Sequence, residues 1–390
     1  MKIKKLVAKQ IKDTRGEETI EIKLVTDDGE FIASAPNGKS RGEFEAPVWK
    51  KSLSEDIKEV NKYFIEDINF REFNDLKLIE EAFSDRVGGN TMVALEYVFL
   101  KALAVKEDKK VWQLINPRAK KIPFPIGNII GGGAHSNWKS TVFQEFHLIP
   151  MGNSKTNKEI LKRGWENARE ILGNIDNKPL GKVSKKLKTN DENAWQTTLD
   201  DKKVIEIMGD VKENMIDEFN VKVHLGIDVA ASEFLKGKNY IYKKDKYSRD
   251  YQIKYIQNLS DKCYYIEDPL EQNDFLGFAE IRKKSKGLIV GDDLTTSNPE
   301  RLKLAIKNKS INGIIIKPNQ IGSLLKVKEL VEICKKNSIK MIFSHRSGET
   351  SESIISDLAV GFEADFVKFG ALGKGRDEKL NRLIEIEEEI

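Results

Sequence analysis

The sequence predicts an α/β fold in two parts, an N-terminal α+β domain over residues 1–121 and a (β/α)8 barrel over residues 122–390. Two rhythms predict it. The early chain alternates apolar and polar residues in short runs and then recurs at helical spacing, as a strand meander followed by helices does. The later chain repeats one unit, an apolar run ending on a charged residue and then an amphipathic stretch long enough for a crossover helix. Repeated parallel strands in one domain close most readily into an eight-fold barrel.

Taken in order, Val7–Ile11, Thr19–Val25 and Glu30–Ala35 are strand-like, parted by TRGEE and by the hairpin turn TDDGE. Leu53, Ile57, Val60 and Phe64, and later Met92, Leu95, Phe99 and Leu103, recur at helical intervals. The proline-bearing KKIPFPIGN marks the boundary. Apolar runs then follow: VKVHLGID to Asp228, CYYIED with Glu267, GLIVGD to Asp292, GIIIK to Lys317, IKMIFSH to His345 and DFVK to Lys368. PERLKLAIKN and SLLKVKELVEICKKN supply crossover helices.

Composition excludes several classes. With 390 residues and 39% hydrophobic content the chain can bury a sizeable core, so global disorder is excluded. Its 66 Lys plus Arg nearly balance 62 Asp plus Glu, and the scattered lysines describe a solvated surface, not a nucleic-acid stripe. No apolar run is long enough for a membrane span or a signal peptide. Cys263 and Cys334 lack metal-ligand spacing and are expected to be buried thiols in a reducing compartment. A cytoplasmic location is expected.

Active sites of such barrels sit at the C-terminal mouth, where strand ends converge. Asp228, Glu267 and Asp292 would bring like charges together there, and these stay ionised only around a cation. Oxygen ligands select a hard ion, and Mg²⁺ is the usual occupant beside a phosphorylated substrate. Beyond them come Lys317, then Ser344, His345, Arg346 and Ser347, then Lys368. Nearby positive charge lowers a lysine's pKa, so one lysine can act as a general base while the other stays charged to hold an anion. Arg346 and Ser347 offer a fork of donors suited to phosphate. Metal, base and clamp suit removal of a proton next to a carboxylate. The plainer alternative is a set of separate salt bridges and solvated strand caps.

DTRGEETIE, APNGKSRGEFEA, PIGNIIGGGAH, FQEFHLIPMG, LGIDVAASEF, YYIEDPLEQND, VGDDLTTSNP, IIKPNQIGSL, SHRSGETSESIISDLAVG and NRLIEIEEEI occur in this order. Over nearly the whole chain they resemble the enolase (phosphopyruvate hydratase) family, part of a superfamily known for a Lys or His base beside one or two Mg²⁺. The resemblance implies an enolase-type barrel whose first turns, near residues 123–150, run ββαα. It implies reversible dehydration of 2-phospho-D-glycerate to phosphoenolpyruvate in glycolysis and gluconeogenesis. Lys317 matches the base that takes the C2 proton, Glu192 the acid at the departing C3 hydroxyl, and Glu145 its supporting carboxylate. His135, Gln144, Glu145, Ser344, His345, Arg346, Ser347 and Lys368 fall at substrate-binding positions. Asp228, Glu267 and Asp292 match the ligands of a first Mg²⁺, and Ser40 of PNGKSRG the serine that reaches a second, arriving with substrate. A homodimer is implied too.

The chain departs from the family pattern at Asn37, at Arg41, and at Asn193–Ala194, where lost glycines are expected to stiffen the loop after Glu192. Phe369 replaces a small hydroxyl residue and is expected near the substrate. Glu21 keeps an interface acid whose usual arginine partner is Glu385 here, which implies an altered dimer interface. These departures motivate two other functions, a lyase of the same superfamily acting on a different phosphorylated or carboxylated acid, and a non-catalytic scaffold that kept the fold.

Overall fold

The computed structural model describes residues 1–39, 42–63, 68–136, 140–176, 187–243 and 245–390, so Ser40, Arg41 and Phe64 lie outside the described residues. β1 (Ile3–Lys12), β2 (Glu18–Thr26) and β3 (Gly29–Ser34) form the expected antiparallel meander. Thr26 pairs with Gly29, which leaves Asp27 and Asp28 as the hairpin turn. The helices α1 (Leu53–Lys62), α2 (Leu76–Phe83), α3 (Gly89–Lys106) and α4 (Val111–Ile115) follow. Ser52 caps α1 by accepting the Glu55 amide, and Glu55 and Asp56 suit its positive end. α3 is buried on nearly every side because it packs against β2 and β3 on one flank and the barrel on another. Ile20, Ile22 and Leu24 of β2 are fully buried, each stabilising the fold by about 1.5–3 kcal/mol.

The barrel opens with β4 (Phe124–Gly131) and β5 (Glu145–Pro150), then α5 (Ser154–Asp176) and α6 (Asp201–Phe219), the expected ββαα order. β6 (Val223–Asp228) leads into a small sheet of β7 (Leu235–Lys236), β8 (Asn239–Ile241) and β9 (Lys246–Ser248). The regular alternation is α7 (Arg249–Leu259), β10 (Tyr265–Glu267), α8 (Phe275–Lys284), β11 (Leu288–Gly291), α9 (Pro299–Lys307) and β12 (Gly313–Ile316). It continues through α10 (Pro318–Ile321), α11 (Leu324–Lys336), β13 (Lys340–Ser344), α12 (Ile354–Gly361), β14 (Phe366–Lys368) and α13 (Asp377–Glu389). Each apolar run singled out in the sequence is a barrel strand.

Around the closed ring the order is β10-β11-β12-β13-β14-β4-β5-β6. Only β5 runs against its neighbours. Ile126, Ile149, Tyr265, Val290, Ile315 and Ile342 fill the barrel interior, separately from the larger core between strands and helices. Asn37 and Gly348 exchange backbone hydrogen bonds of 2.7 and 2.9 Å, which stitch the segment after β3 to the mouth. Cys263 and Cys334 are buried and unbridged. No helix among the described residues is long and apolar enough to cross a membrane.

Candidate active site

Strand direction decides which residues meet. Asp228 ends β6, Glu267 ends β10, Asp292 follows β11, Lys317 follows β12, Ser344 ends β13 and Lys368 ends β14, so all reach one rim. β5 runs the other way and therefore presents its first residue there, with Glu145 paired to Asp228. His135 stands in a short 3-10 turn after β4. Glu192 sits in a tight turn closed by Asn190 Oδ1, which accepts the Glu192 and Ala194 amides at 3.0 Å each.

These residues enclose a cleft of about 30 Å³. His135, Gln144, Glu145, Glu192, Asp228, Asp292, Lys317, Ser344, His345, Arg346, Ser347 and Lys368 all line it, with Gly38 and Lys39 from the N-terminal part. Glu267 lies just beneath, fully buried. Ser40 falls outside the described residues. A roomier groove of about 340 Å³ lies beside Phe73 and Leu114, where Glu72, Lys328, Glu332 and Lys335 are its charged residues.

The cleft is small because its charges are drawn together. Lys368 reaches across the barrel and donates to Asp228 Oδ2 at 3.0 Å and to Glu267 at 2.9 and 2.8 Å, with Glu145 Oε1 at 3.4 Å. Lys317 Nζ pairs with Asp292. On the other flank His135 Nδ1 lies 3.5 Å from Glu192 and 3.8 Å from Glu145, and Asn128 Nδ2 donates to Glu192 at 3.2 Å.

The expected carboxylate trio is looser than anticipated. Among the described residues, the sets whose donor atoms fall within 4.8 Å of one another are His135–Glu145–Glu192 and Asp268–Asp292–Asp293. Asp228 and Glu267 do meet, around the Lys368 ammonium, while Asp292 is drawn aside by Lys317. Burial and Asp228 push Glu267 upward against the pull of Lys368, the frustration of carboxylates crowded with too little positive charge. Gln144 Oε1, buried beside Asp228, has no hydrogen-bond partner. An all-oxygen set with excess negative charge and an unsatisfied acceptor fits a hard divalent cation.

Taken alone, the mouth's own carboxylates and ammonium groups set its proton balance. Burial is the largest single influence on Lys317 and pulls it down, but the facing carboxylates, Asp292 first and Glu267 with it, leave it above the ordinary lysine value. Burial and the neighbouring Glu192 push Glu145 up to about 8. Burial opposes the opposite shift in Glu192, yet His135, His345 and Arg376 hold it below the carboxylate range. Of the two carboxylates, Glu145 is the one whose surroundings favour the protonated form.

The phosphate-clamp candidates already have partners. Arg346 forms a buried two-pronged pair with Glu45, at 3.1 Å to Oε2 from both nitrogens, and Ser347 Oγ accepts from Arg15 Nη1 at 2.8 Å and from the Lys39 amide at 2.9 Å. Phe369 is fully buried and does not line the cleft, which corrects its expected place near the substrate. Asn193 adopts the left-handed backbone that a glycine would favour, at φ 63°, and its side-chain Nδ2 donates to the Leu372 carbonyl at 3.4 Å. Glu21 pairs with Lys9 and Glu385 with Arg382, both within the chain.

Sequence inspection did not single out Asn128, His147, Tyr265 or Arg376, all close to these groups. Strand alternation carried the signal for two of them, since His147 and Tyr265 stand two residues from Glu145 and Glu267 and so share their inward face.

A closed eight-stranded barrel with acidic and basic side chains converging at its C-terminal mouth defines the class, a barrel enzyme. The family model "Enolase, C-terminal TIM barrel domain" matches residues 119–390. The enolase of Archaeoglobus fulgidus is 37% identical over 392 residues, covering 96% of this chain and 94% of its own. That of Picrophilus torridus is 37% identical over 410 residues, covering 100% and 99%, and that of Methanosphaera stadtmanae 36% over 405 residues, covering 98% and 96%. The chain belongs to the enolase family and is a lyase.

Proposed function

We propose that the protein catalyses the reversible dehydration of 2-phospho-D-glycerate to phosphoenolpyruvate, in the cytoplasm, within glycolysis and gluconeogenesis. The observation that carries this is the seating of Lys317 and Glu145 on β12 and β5, strands that face each other across the ring, with Glu192 beside Glu145. Loss of a proton from one carbon and a hydroxyl from the next needs a base and an acid on opposite sides of the substrate.

In this mechanism Lys317 takes the C2 proton as a neutral amine. Asp292, which now keeps it protonated, must then be occupied by another cation. Glu192 delivers a proton to the C3 hydroxyl as it leaves as water, resupplied from the protonated Glu145 beside it. Arg346 and Ser347 bind the phosphate and Lys368 the carboxylate, while His135, Gln144, Ser344 and His345 line the reacting end. Asp228, Glu267 and Asp292 would hold one Mg²⁺ and Ser40 a second that arrives with substrate; such ions supply Lewis-acid stabilisation of the charge built up on the carboxylate. Residues 1–121 act as the cap and 122–390 as the catalytic barrel. We also take the protein to be a homodimer whose interface does without a Glu21–arginine pair, since Glu21 and Glu385 are satisfied within the chain.

The test is the rise in phosphoenolpyruvate absorbance when purified protein meets 2-phosphoglycerate and Mg²⁺. Turnover abolished by a chelator and restored by Mg²⁺ supports the proposal. No product from protein that binds Mg²⁺ normally refutes it.

A further inference from the structure

Beneath the carboxylates of the mouth lies a second layer. On the adjacent strands β5, β6 and β10, Glu145, Asp228 and Glu267 are mutual neighbours in register, and one level down so are His147, Gly226 and Tyr265. His147 Nε2 is 2.9 Å from Glu145 Oε2, and Tyr265 donates its hydroxyl to Glu267 Oε2. Both rings are fully buried. They meet edge to face, 5.6 Å apart at 77°. Gly226 leaves the room: a Cβ there would lie 3.1 Å from Tyr265 Cβ and 3.2 Å from His147 Nδ1.

His147 Nδ1 has no hydrogen-bond partner, so we assign the ring proton to Nε2, where an acceptor exists. An unpaired lone pair is tolerated in a buried site far better than an unpaired N–H. Each ring thus ties down one oxygen of the carboxylate above it. That leaves Glu145 Oε1 toward His135 and Lys368, and Glu267 Oε1 toward Lys368.

We propose that His147 and Tyr265 are positioning residues that act as one brace: they fix Glu145 on the acid side and Glu267 on the cation side, and couple the two through their ring contact above Gly226. The inference rests on the function proposed above for the carboxylates, and it adds two residues that touch neither substrate nor cation. Partners at this remove typically change metal affinity or activity by about 10- to 100-fold when removed.

Calorimetric titration of the full chain with Mg²⁺ alone reads the Tyr265 half. Tyr265→Phe keeps the ring and removes only the hydroxyl, and is expected to weaken Mg²⁺ binding about tenfold or more with an unchanged circular-dichroism spectrum. Kinetics read the His147 half. His147→Leu should lower kcat about tenfold or more while KM for 2-phosphoglycerate stays within about twofold. His147→Gln, whose amide nitrogen can take the place of Nε2, should recover most of the loss. The double variant should lose less than the product of the single losses, as expected of a unit.

Parent-like Mg²⁺ affinity in Tyr265→Phe overturns the brace, as does equal impairment of His147→Leu and His147→Gln. Should the parent make no phosphoenolpyruvate, the functional proposal fails while the Mg²⁺ titration still decides the Tyr265 contact. Should the parent turn over and Tyr265→Phe bind Mg²⁺ normally, the brace alone fails.

Discussion

The mouth of this barrel has two arcs built in different ways. From β10 to β14 the strands are parallel, and each delivers the residue at its C-terminal end: Glu267, Asp292, Lys317, Ser344 and Lys368. From β4 to β6 the chain reverses, and site residues come from the first position of a strand (Glu145), a 3-10 turn (His135) and a remote loop (Glu192). The candidate cation ligands span both arcs, Glu267 and Asp292 on the parallel one and Asp228 at the end of β6, while the close pair Glu145 and Glu192 belongs to the reversed arc. A repeat places groups at regular angles around a ring, while a hairpin and a loop bring the carboxylates of Glu145 and Glu192 within 4.8 Å of each other.

The sharpest way to break this division is on the parallel arc. Lys317→Ala should cut turnover by about 10²- to 10⁴-fold, the usual range for a general base, while the thermal melt stays close to that of the parent. A comparable fall in melting temperature would make Lys317 a structural partner of Asp292 and not a base. On the reversed arc Glu192→Gln should also fall by roughly 10²-fold or more.

Glu145→Gln tests through pH whether Glu145 carries a proton in the folded protein. The folded-state value of Glu145, about 8, lies above its ordinary 4.5. The fold therefore binds that proton more tightly than the unfolded chain does. The resulting stability is fully present below about pH 4.5 and is lost as pH rises through about 8. Melting temperature followed from pH 5 to pH 8 should fall more steeply in the parent than in Glu145→Gln. Parallel curves would place the proton elsewhere.

Smaller effects separate clamp from frame. Arg346→Lys loses the two-pronged geometry and should raise KM for 2-phosphoglycerate by roughly tenfold, with a lesser change in kcat. Asn193→Val places a branched side chain at a left-handed position and should destabilise the fold by about 1–2 kcal/mol in denaturant unfolding, while Asn193→Gly stays near neutral.

Legibility in the sequence followed the same division. The strand ends of the parallel arc stood out because apolar runs stop on charges at a steady interval, and their meeting at one rim follows from parallel topology alone. Nothing in the spacing of FQEFHLIP announces that its strand is reversed, so Glu145 was reached through resemblance, as were Glu192 and His135. Side-chain partners were less legible still. That Glu45 would hold Arg346, or that Asp292 would keep Lys317 protonated, depends on distances set by the whole fold. The expected stiffness at Asn193 became a specific tie to Leu372, and Phe369 turned out to be core because alternation on β14 points Lys368 inward and its successor out.

The stitch between Asn37 and Gly348 has a consequence for how this protein can change. Ala46 is fastened as well, its amide donating to the Gln320 carbonyl at 2.7 Å, so both margins of the segment that supplies Lys39 and Glu45 are anchored to the barrel rim. The aperture through which a substrate enters is thus owned jointly by cap and barrel. A change at Asn37 or Ala46 therefore bears on the placing of Lys39 and Glu45 at the rim, although neither residue reaches the cleft itself.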